Sequence, residues 1–476
     1  TFYNLKNSTC LMTQISLAKR SYCTPASNND DIIQINSRSY TPDDFTNVSP
    51  KILTYVNRNL HLQKKHPLCL IREKIVDYFY KGYLNVKGSP VFSVYDRLSP
   101  VVTVKQNFDD LLIPPDHPSR SKSDCYYVNK STLLRAHTTA HQTDLIRAGL
   151  DNFLVVGEVY RRDAIDSTHF PVFHQMDALR SQTREQLFPD QPDLDIFERR
   201  GGPEGGKQPC HTLEAVKVME YQLKHALVGM VKCLFGENIE YRWVDAEFPF
   251  TQPSWELEVF WNGDWLEVLG CGIVRQEIMT SAGSANCVAY AFGMGLERLA
   301  MALYNIPDIR LFWSEDSGFL NQFKPKDPKR IIKYRPISIF PQCKNDLSFW
   351  LPDDKVATYS DNDLYDIVRE VGGDLIEQVE LTDKFVHPKT GRSSRCYRII
   401  YRHMERTLTQ EEVNAVHKKI EEAVTTKLKA EILDIRINLP LHTFKNQIQH
   451  YACVRPRYAC KSKNTCYSES EVPRNY

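Results

Sequence analysis

Two arginine-bearing segments of this sequence have the composition of an anion site. The run Gly157-Glu-Val-Tyr-Arg-Arg-Asp163 puts Arg161 and Arg162 at the mouth of a hairpin pattern, and Gly293-Met-Gly-Leu-Glu-Arg298 sets a Gly-x-Gly ahead of a helical stretch bearing Arg298. A guanidinium offers a planar fork of donors that matches phosphate oxygens, and glycine lets backbone approach a ligand closely. If both arginines face one anion, a nucleotide is the natural ligand. Each segment alone has a plainer reading, since Gly-x-Gly is ordinarily a turn and paired arginines ordinarily line a solvated edge.

The elements that must position these residues are legible in the hydrophobic pattern. After Asp151 a strand-like run, a charged turn and a second run read as an antiparallel hairpin with a long loop. Trp255 to Trp261 alternates apolar with acidic residues, and after Asn262-Gly263-Asp264 the chain resumes as Trp265-Leu-Glu-Val-Leu-Gly, a second hairpin. Pro67 suits the first turn of a helix carrying Leu70, Ile71, Ile75, Val76 and Phe79, and Thr212 to Phe235 has helical spacing. Between them Asn107 to Arg120 holds Pro114, Pro115 and Pro118, which forbid a regular helix or central strand and make it a shaped loop. Strands grouped with helices, without βαβ alternation, predict an α+β fold with a mostly antiparallel sheet flanked by helices.

A Lys- and Pro-rich stretch at 324–342 reads as a linker. Beyond it come a strand from Asn345 to Leu351, a helix capped by Ser360 or Asp361 and stopped at Gly372-Gly373, and two strands around a Pro388/Gly391 turn. A helix opened by a Thr409/Glu412 capping box and a strand from Ile432 to Ile437 follow. The order βαββαβ is the ferredoxin-like pattern. The expected organisation is therefore a transit-like N-terminus (1–45), a catalytic-size domain (46–323), the linker, a small domain (343–436) and a basic tail (437–476) expected to be poorly ordered.

Composition bounds the rest. The chain has 476 residues, too many for one ordinary core, and 60 Lys+Arg against 59 Asp+Glu, so any nucleic-acid binding must rest on a local basic face. No window approaches the ~18 consecutive apolar residues of a membrane span, so no membrane partner is expected. The 13 cysteines include no C-x-x-C pair, which favours a reducing compartment and no structural zinc, with Cys453, Cys460 and Cys466 as free thiols. The first 29 residues lack Asp and Glu, carry Lys6, Lys19 and Arg20, and are rich in Ser, Thr and Asn, the make-up of an organellar transit peptide or of a plain disordered start.

Read together, the motifs become specific. Gly157 to Asp163, then His169-x-x-x-Phe-His-Gln175, then Phe248-Pro-Phe-Thr-Gln-Pro-Ser254, then Gly293-x-Gly-x-x-Arg298 resembles motifs 2 and 3 of class II aminoacyl-tRNA synthetases, and specifically the phenylalanyl-tRNA synthetase family. The Asn107 to Arg120 loop, His137-Thr-Thr-Ala-His-Gln142 and the Phe248/Phe250 pair are similar to that family and not to its class II relatives. The last domain resembles the anticodon-binding domain of the family's single-chain organellar form. The similarity covers about residues 50 to 435.

The resemblance implies activation of L-phenylalanine by ATP with Mg²⁺, transfer to the 2′-hydroxyl of the terminal adenosine of tRNA(Phe), a mitochondrial matrix location and a monomeric enzyme. It implies that Arg161 holds the α-phosphate and the amino-acid carboxylate, and that Arg298 meets the γ-phosphate or covers the base. His169 meets the triphosphate, Phe173 stacks on adenine and Glu267 binds magnesium. Asp163 stands where the family usually has a glutamate near the adenine. For the amino acid it implies His137, Thr139, Gln142, Gln175 and Asp177 around the ammonium, Asp177 again replacing a glutamate. Phe248 and Phe250 pack against the ring, and Ala291, beside Phe292, lies under its para position. Aromatic rings prefer edge-to-face contact, which suits two phenylalanines to a phenyl substrate. The chain has no stretch long enough to add an editing domain.

In the small domain Lys384, Lys389, Arg392, Arg395, Arg398, Arg402 and Arg406 gather around the central hairpin, opposite no comparable acidic run, which suits RNA phosphates. A solvated hairpin gives the same pattern. Two rivals stay open: a synthetase-like protein that binds RNA or nucleotide without catalysis, and a ligase for another amino acid. The presence of Arg161, Gln175, Glu267 and Arg298 speaks against the first, and the Phe248/Phe250 pair against the second.

Overall fold

Alternation along the strands builds the larger sheet and divides its two faces between core and cavity. In the computed structural model, which describes residues 32–433 apart from 200, 203–205, 315, 316, 324–331, 336–339, 404 and 405, seven strands form this sheet. They are β1 (Ser93–Tyr95), β2 (Asn152–Tyr160), β3 (Val172–Thr183), β4 (Tyr241–Phe248), β5 (Thr251–Trp261), β6 (Asp264–Val274) and β7 (Cys287–Gly295), in spatial order β1-β2-β3-β7-β6-β5-β4. Every pair is antiparallel except the short edge strand β1, which runs parallel to β2. The two expected hairpins are β2–β3 and β5–β6. The second turns on Asn262 and Gly263 alone, both at positive φ, as a two-residue hairpin demands, so Asp264 already pairs with Trp261.

Three helices cover one face. Helix α1 (Pro67–Gly82) starts with proline in its first turn and with the His66 ring accepting the Leu68 N–H; helix α2 (Leu213–Phe235) is capped by Thr212; helix α3 (Leu296–Tyr304) leaves directly from β7. Met176, Ala178, Tyr290, Phe292 and Met294 point from the sheet into the core beneath these helices, and Phe292 stacks on Phe79 at 5.4 Å. Fully burying one such side chain contributes about 1.5–3 kcal/mol. The neighbouring residues of the same strands, Gln175, Asp177, Ala291 and Gly293, must therefore face the other way.

The Asn107 to Arg120 segment is a loop, as its prolines require, tightened by single 3₁₀ turns at Asp109–Leu111 and Pro118–Arg120. Phe108, Leu111 and Ile113 from this loop pack with Tyr127, Leu133, Ala136 and Ala140 on the cavity side of the sheet.

The small domain has the expected βαββαβ order: β8 (Cys343–Trp350), α4 (Asp361–Gly372), β9 (Ile376–Val386), β10 (Ser393–Tyr401), α5 (Gln410–Leu428) and β11 (Glu431–Ile432), with sheet order β9-β10-β8-β11. Ser360, not Asp361, is the cap of α4, in a reciprocal box with Asp363; Thr409 and Glu412 form the second box. Strand β8 opens two residues before the expected Asn345. The last strand, expected to reach Ile437, is described only as far as β11. Residues 1–31 of the transit-like segment, much of the 324–342 linker, and the basic tail with its three cysteines lie outside the described residues.

Helix α4 seats the small domain on the loop that joins β2 to β3. The Arg162 guanidinium reaches Asp363 at 2.9 Å and Asp366 at 2.7 Å, Tyr126 donates to Asp366 at 2.8 Å, and Arg369 donates to the carbonyls of Asp163 and Ala164. Strand β9 adds a main-chain bond, Val379 N–H to the Ile165 carbonyl at 2.9 Å.

Candidate active site

The face of the sheet opposite the helices carries a cavity of about 740 Å³, bounded by Phe108, His137, Thr139, Gln142, Asp177, Phe248, Phe250 and Ala291 among others. A second lobe of about 350 Å³ is bounded by Thr168, His169, Phe173, Gly295 and Arg298. Arg161, Asp163, Gln175, Glu267 and Gly293 line both, so the lobes form one cleft that runs from the β2–β3 loop to the start of α3. Arg161 and Arg298, 137 positions apart in the chain, border the same lobe.

The larger lobe joins an apolar end to a polar one. Phe248 and Phe250 lie parallel, 5.9 Å apart with 11° between ring planes. Glycine clears the space in front of them: a Cβ on Gly270 would stand 2.8 Å from Cζ of Phe248, and one on Gly293 would stand 2.6 Å from Oδ1 of Asp177. Ala291 packs with Phe250 on this same face, under the apolar end. Phe292 is a correction to the expected site, because strand alternation sends its ring into the helix-side core against Phe79, leaving its backbone to the cleft.

At the polar end Asp177 accepts a hydrogen bond from the Thr139 hydroxyl. Burial pushes its carboxyl up to about 6, against the opposing pull of the Thr139 and Thr138 hydroxyls, Arg161 and Arg135. Burial, with Arg161 nearby, holds His137 down at about 3, and neither of its ring nitrogens forms a well-directed hydrogen bond. Gln175 Oε1 and Gln142 Nε2 are likewise buried without a partner. Buried polar atoms are nearly always satisfied in a folded chain, so these leave donor and acceptor capacity for water or a ligand in the cavity.

In the second lobe Arg161 is oriented by its Nε, which donates to the Ala136 carbonyl at 2.8 Å, and its guanidinium lies over the Phe173 ring at 5.3 Å. His169, at the mouth, is held by Asp166 at 2.7 Å. Arg298 pairs with Glu267 at 3.1 Å, both about half exposed, a contact worth little by itself and easily exchanged for a phosphate. Glu256, which the sequence reading missed, also lines the cleft; burial and the nearby charges of Glu267 and Glu258 raise its carboxyl. Among the described residues no group of three metal-ligating side chains stands together. One or two carboxylates are what Mg²⁺ takes when substrate phosphates and water supply its other oxygens, so Glu267 with Glu256 fits that ion. The cleft also includes His117, Asp124, Cys125 and Asn362, the last from α4, which no single-segment pattern pointed to.

The basic cluster of the small domain is not a free cationic face. Lys384 pairs with Asp361 at 3.8 Å, Arg392 with Glu431 at 2.6 Å, Arg398 with Asp346 at 2.9 Å, Arg402 with Glu377 at 2.5 Å and Arg406 with Glu412 at 3.0 Å. The expectation of no opposing acidic run fails because the acids come from other strands and from the first turns of helices. Arg395 shares its strand face with Tyr397 and Ile399 of the core and bonds to Ser393 and the Ser394 carbonyl, on the face opposite Arg398 and Arg402. Lys389 sits exposed in the β9–β10 turn.

An antiparallel sheet whose hairpin arginine and post-strand helix arginine close on one cleft is the architecture of a class II tRNA synthetase. Residues 53–187 and 213–323 match the family model described as tRNA synthetases class II core domain (F), and residues 338–433 match the ferredoxin-fold anticodon binding domain. The chain belongs to the phenylalanine–tRNA ligase family, and its activity is the family's, charging tRNA with phenylalanine. It is 58% identical to a Drosophila melanogaster protein named probable phenylalanine–tRNA ligase, mitochondrial, over 90% of this chain and 97% of that one. Identity is 55% to the mitochondrial phenylalanine–tRNA ligase of Mus musculus (84% and 88% covered) and 38% to that of Saccharomyces cerevisiae (84% and 94% covered).

Proposed function

We propose that this chain works in the mitochondrial matrix as a single-chain, monomeric enzyme that makes phenylalanyl-adenylate and passes the acyl group to the 2′-hydroxyl of the terminal adenosine of tRNA(Phe). The supporting observation is the one continuous cleft. Phe248, Phe250 and Ala291 enclose a ring, Asp177, Thr139, Gln175, Gln142 and His137 surround an ammonium, and Arg161 stands between this lobe and the one that Arg298 borders.

The substrate carboxylate oxygen attacks the α-phosphorus in line, the bond to the bridging oxygen breaks, and pyrophosphate leaves. Arg161 binds the carboxylate and α-phosphate together, bringing two anions into contact that water would keep apart. Arg298 gives up Glu267 for the outer phosphates, while Phe173 and Asp163 hold the adenine and His169 the triphosphate tail. Glu267 and Glu256 would hold Mg²⁺, which when bound would supply charge neutralisation on the phosphates. No protein nucleophile is required, because positioning and fixed positive charge lower the barrier. In the small domain the paired cations Lys384, Arg392, Arg398 and Arg402 exchange carboxylates for tRNA phosphates, joined by exposed Lys389 and by Arg395.

ATP–pyrophosphate exchange across a panel of amino acids tests this reading. Phenylalanine should support exchange and aliphatic amino acids should not. Arg161→Ala and Arg298→Ala should abolish exchange while circular dichroism and melting stay as in the parent, and exchange near the parent rate in either variant defeats the assignment.

A further inference from the structure

At the back of the second lobe, which Glu297 helps to bound, a carboxyl and an imidazole are buried together on the helix side of the sheet. Glu297, in the first turn of α3, is 3% exposed and His174, in the middle of β3, is fully buried. Glu297 Oε2 accepts the His174 main-chain N–H at 2.8 Å, and Oε1 lies 2.7 Å from His174 Nδ1. The pair is walled by aromatic rings, His61 at 5.2 Å and Trp313 at 6.0 Å from the His174 centroid. Burial drives both groups toward neutrality, Glu297 up to about 8 and His174 down to about 4, so one proton on the carboxyl and a neutral ring satisfy the contact.

The position of this pair in the chain is what gives it a role. Glu297 immediately precedes Arg298, and His174 lies between Phe173 and Gln175, which alternate onto the cleft face. Strand β3 is fixed on both sides, by β2 and by β7, so its backbone needs no further support. The first turn of α3 has no such ladder, and Gly295, its N-terminal boundary, makes no side-chain cap bond. Gly295 pairs with Gln175 of β3 and Leu296 packs in the core with Met176, and the two-point bond from Glu297 to His174 adds the directed polar tie between that turn and the nucleotide-facing strand.

We propose that Glu297 is a positioning residue for ATP, locking the α3 turn to β3 through His174 so that Arg298 and Phe173 hold a fixed separation across the nucleotide lobe. The inference rests on the nucleotide reading of that lobe.

The test compares Glu297→Leu, which keeps shape and loses both bonds, with Glu297→Gln, whose amide oxygen still accepts the main-chain N–H and whose NH₂ donates to Nδ1. KM for ATP, KM for phenylalanine and direct ATP·Mg²⁺ titration are read on each full-length variant. Losing both bonds of this buried pair should raise the ATP KM and Kd about tenfold or more in Glu297→Leu, with the phenylalanine KM within about twofold and Glu297→Gln within about threefold of the parent. An unchanged ATP KM in Glu297→Leu, equal rises in both KM values, or a Glu297→Gln variant as poor as Glu297→Leu overturns the proposal. If Glu297→Leu does not fold, His174→Leu, which keeps the main-chain bond, is judged by the same KM split. A parent protein that fails to bind ATP would instead defeat the underlying reading of the lobe.

Discussion

Phenylalanine affinity should fall steeply as pH drops below neutrality, because Asp177, the group proposed to meet the substrate ammonium, is a carboxyl raised to about 6 by burial. Ammonium binding needs the ionised form. With that midpoint, Asp177 is about nine-tenths ionised at pH 7 and about one-tenth at pH 5, so KM for phenylalanine should rise about tenfold between them. The neighbouring imidazoles do not confuse the reading. His137 and His141 are both held down at about 3, the first by burial and Arg161, the second by burial and Arg135, and stay neutral across this range. The sign for stability is opposite. An aspartate whose folded value lies above its unfolded value of 3.8 is strained when ionised, so acidification between pH 6 and 4 relieves the fold at this position while it removes binding. The assay is pyrophosphate exchange at saturating ATP with phenylalanine varied from pH 5 to 8. Asp177→Asn, which keeps the acceptor from Thr139 and loses the charge, should start about 10–100-fold weaker at pH 7 and show no further loss below it. A phenylalanine KM flat from pH 7 to 5 in the parent, or an equally steep profile in Asp177→Asn, would refute the argument.

Three further outcomes follow from the same cleft. Ala291→Gly should open the floor beneath Phe250 and admit para-substituted phenylalanines, seen as exchange with para-chloro- or para-bromophenylalanine, and unchanged selectivity would remove Ala291 from the pocket. Gly293→Ala forces Asp177 aside, since the new Cβ would meet its Oδ1 at 2.6 Å; thermal denaturation should register about 1–3 kcal/mol of lost stability alongside a raised phenylalanine KM. Tyrosine should be activated at a level only about 10²-fold below phenylalanine, because an apolar pocket rejects an added hydroxyl weakly. Hydrolysis of tyrosyl-tRNA by the purified protein would reveal a second site.

Local pattern carried much of this structure. Period-two alternation in Trp255 to Trp261, the Asn262-Gly263 turn, and the Thr409/Glu412 box each rest on neighbours a few residues apart, where sequence is directly informative. The same alternation already separates Ala291 from Phe292, since adjacent strand residues cannot face one cavity together. That signal is present in the sequence, and the family resemblance does not carry it. What the sequence hid is non-local. Glu256 looks like any acidic residue of an alternating strand until β6 brings Glu267 beside it. The tie from Glu297 to His174 spans 123 residues. The cations of the small domain look unopposed because Asp346, Glu377, Glu412 and Glu431, which pair with them, stand on separate elements.

Arg161 and Arg162 are consecutive, yet they belong to different contests of charge. The first faces the cleft. The second, with a side chain only 6% exposed, takes its carboxylates from Asp363 and Asp366, 201 and 204 residues downstream. A guanidinium buried without an acid is strongly unfavourable. The loop that carries Arg161 therefore gains these two ion pairs only once α4 has been made and docked, which couples the shape of the cleft's rim to the arrival of the small domain.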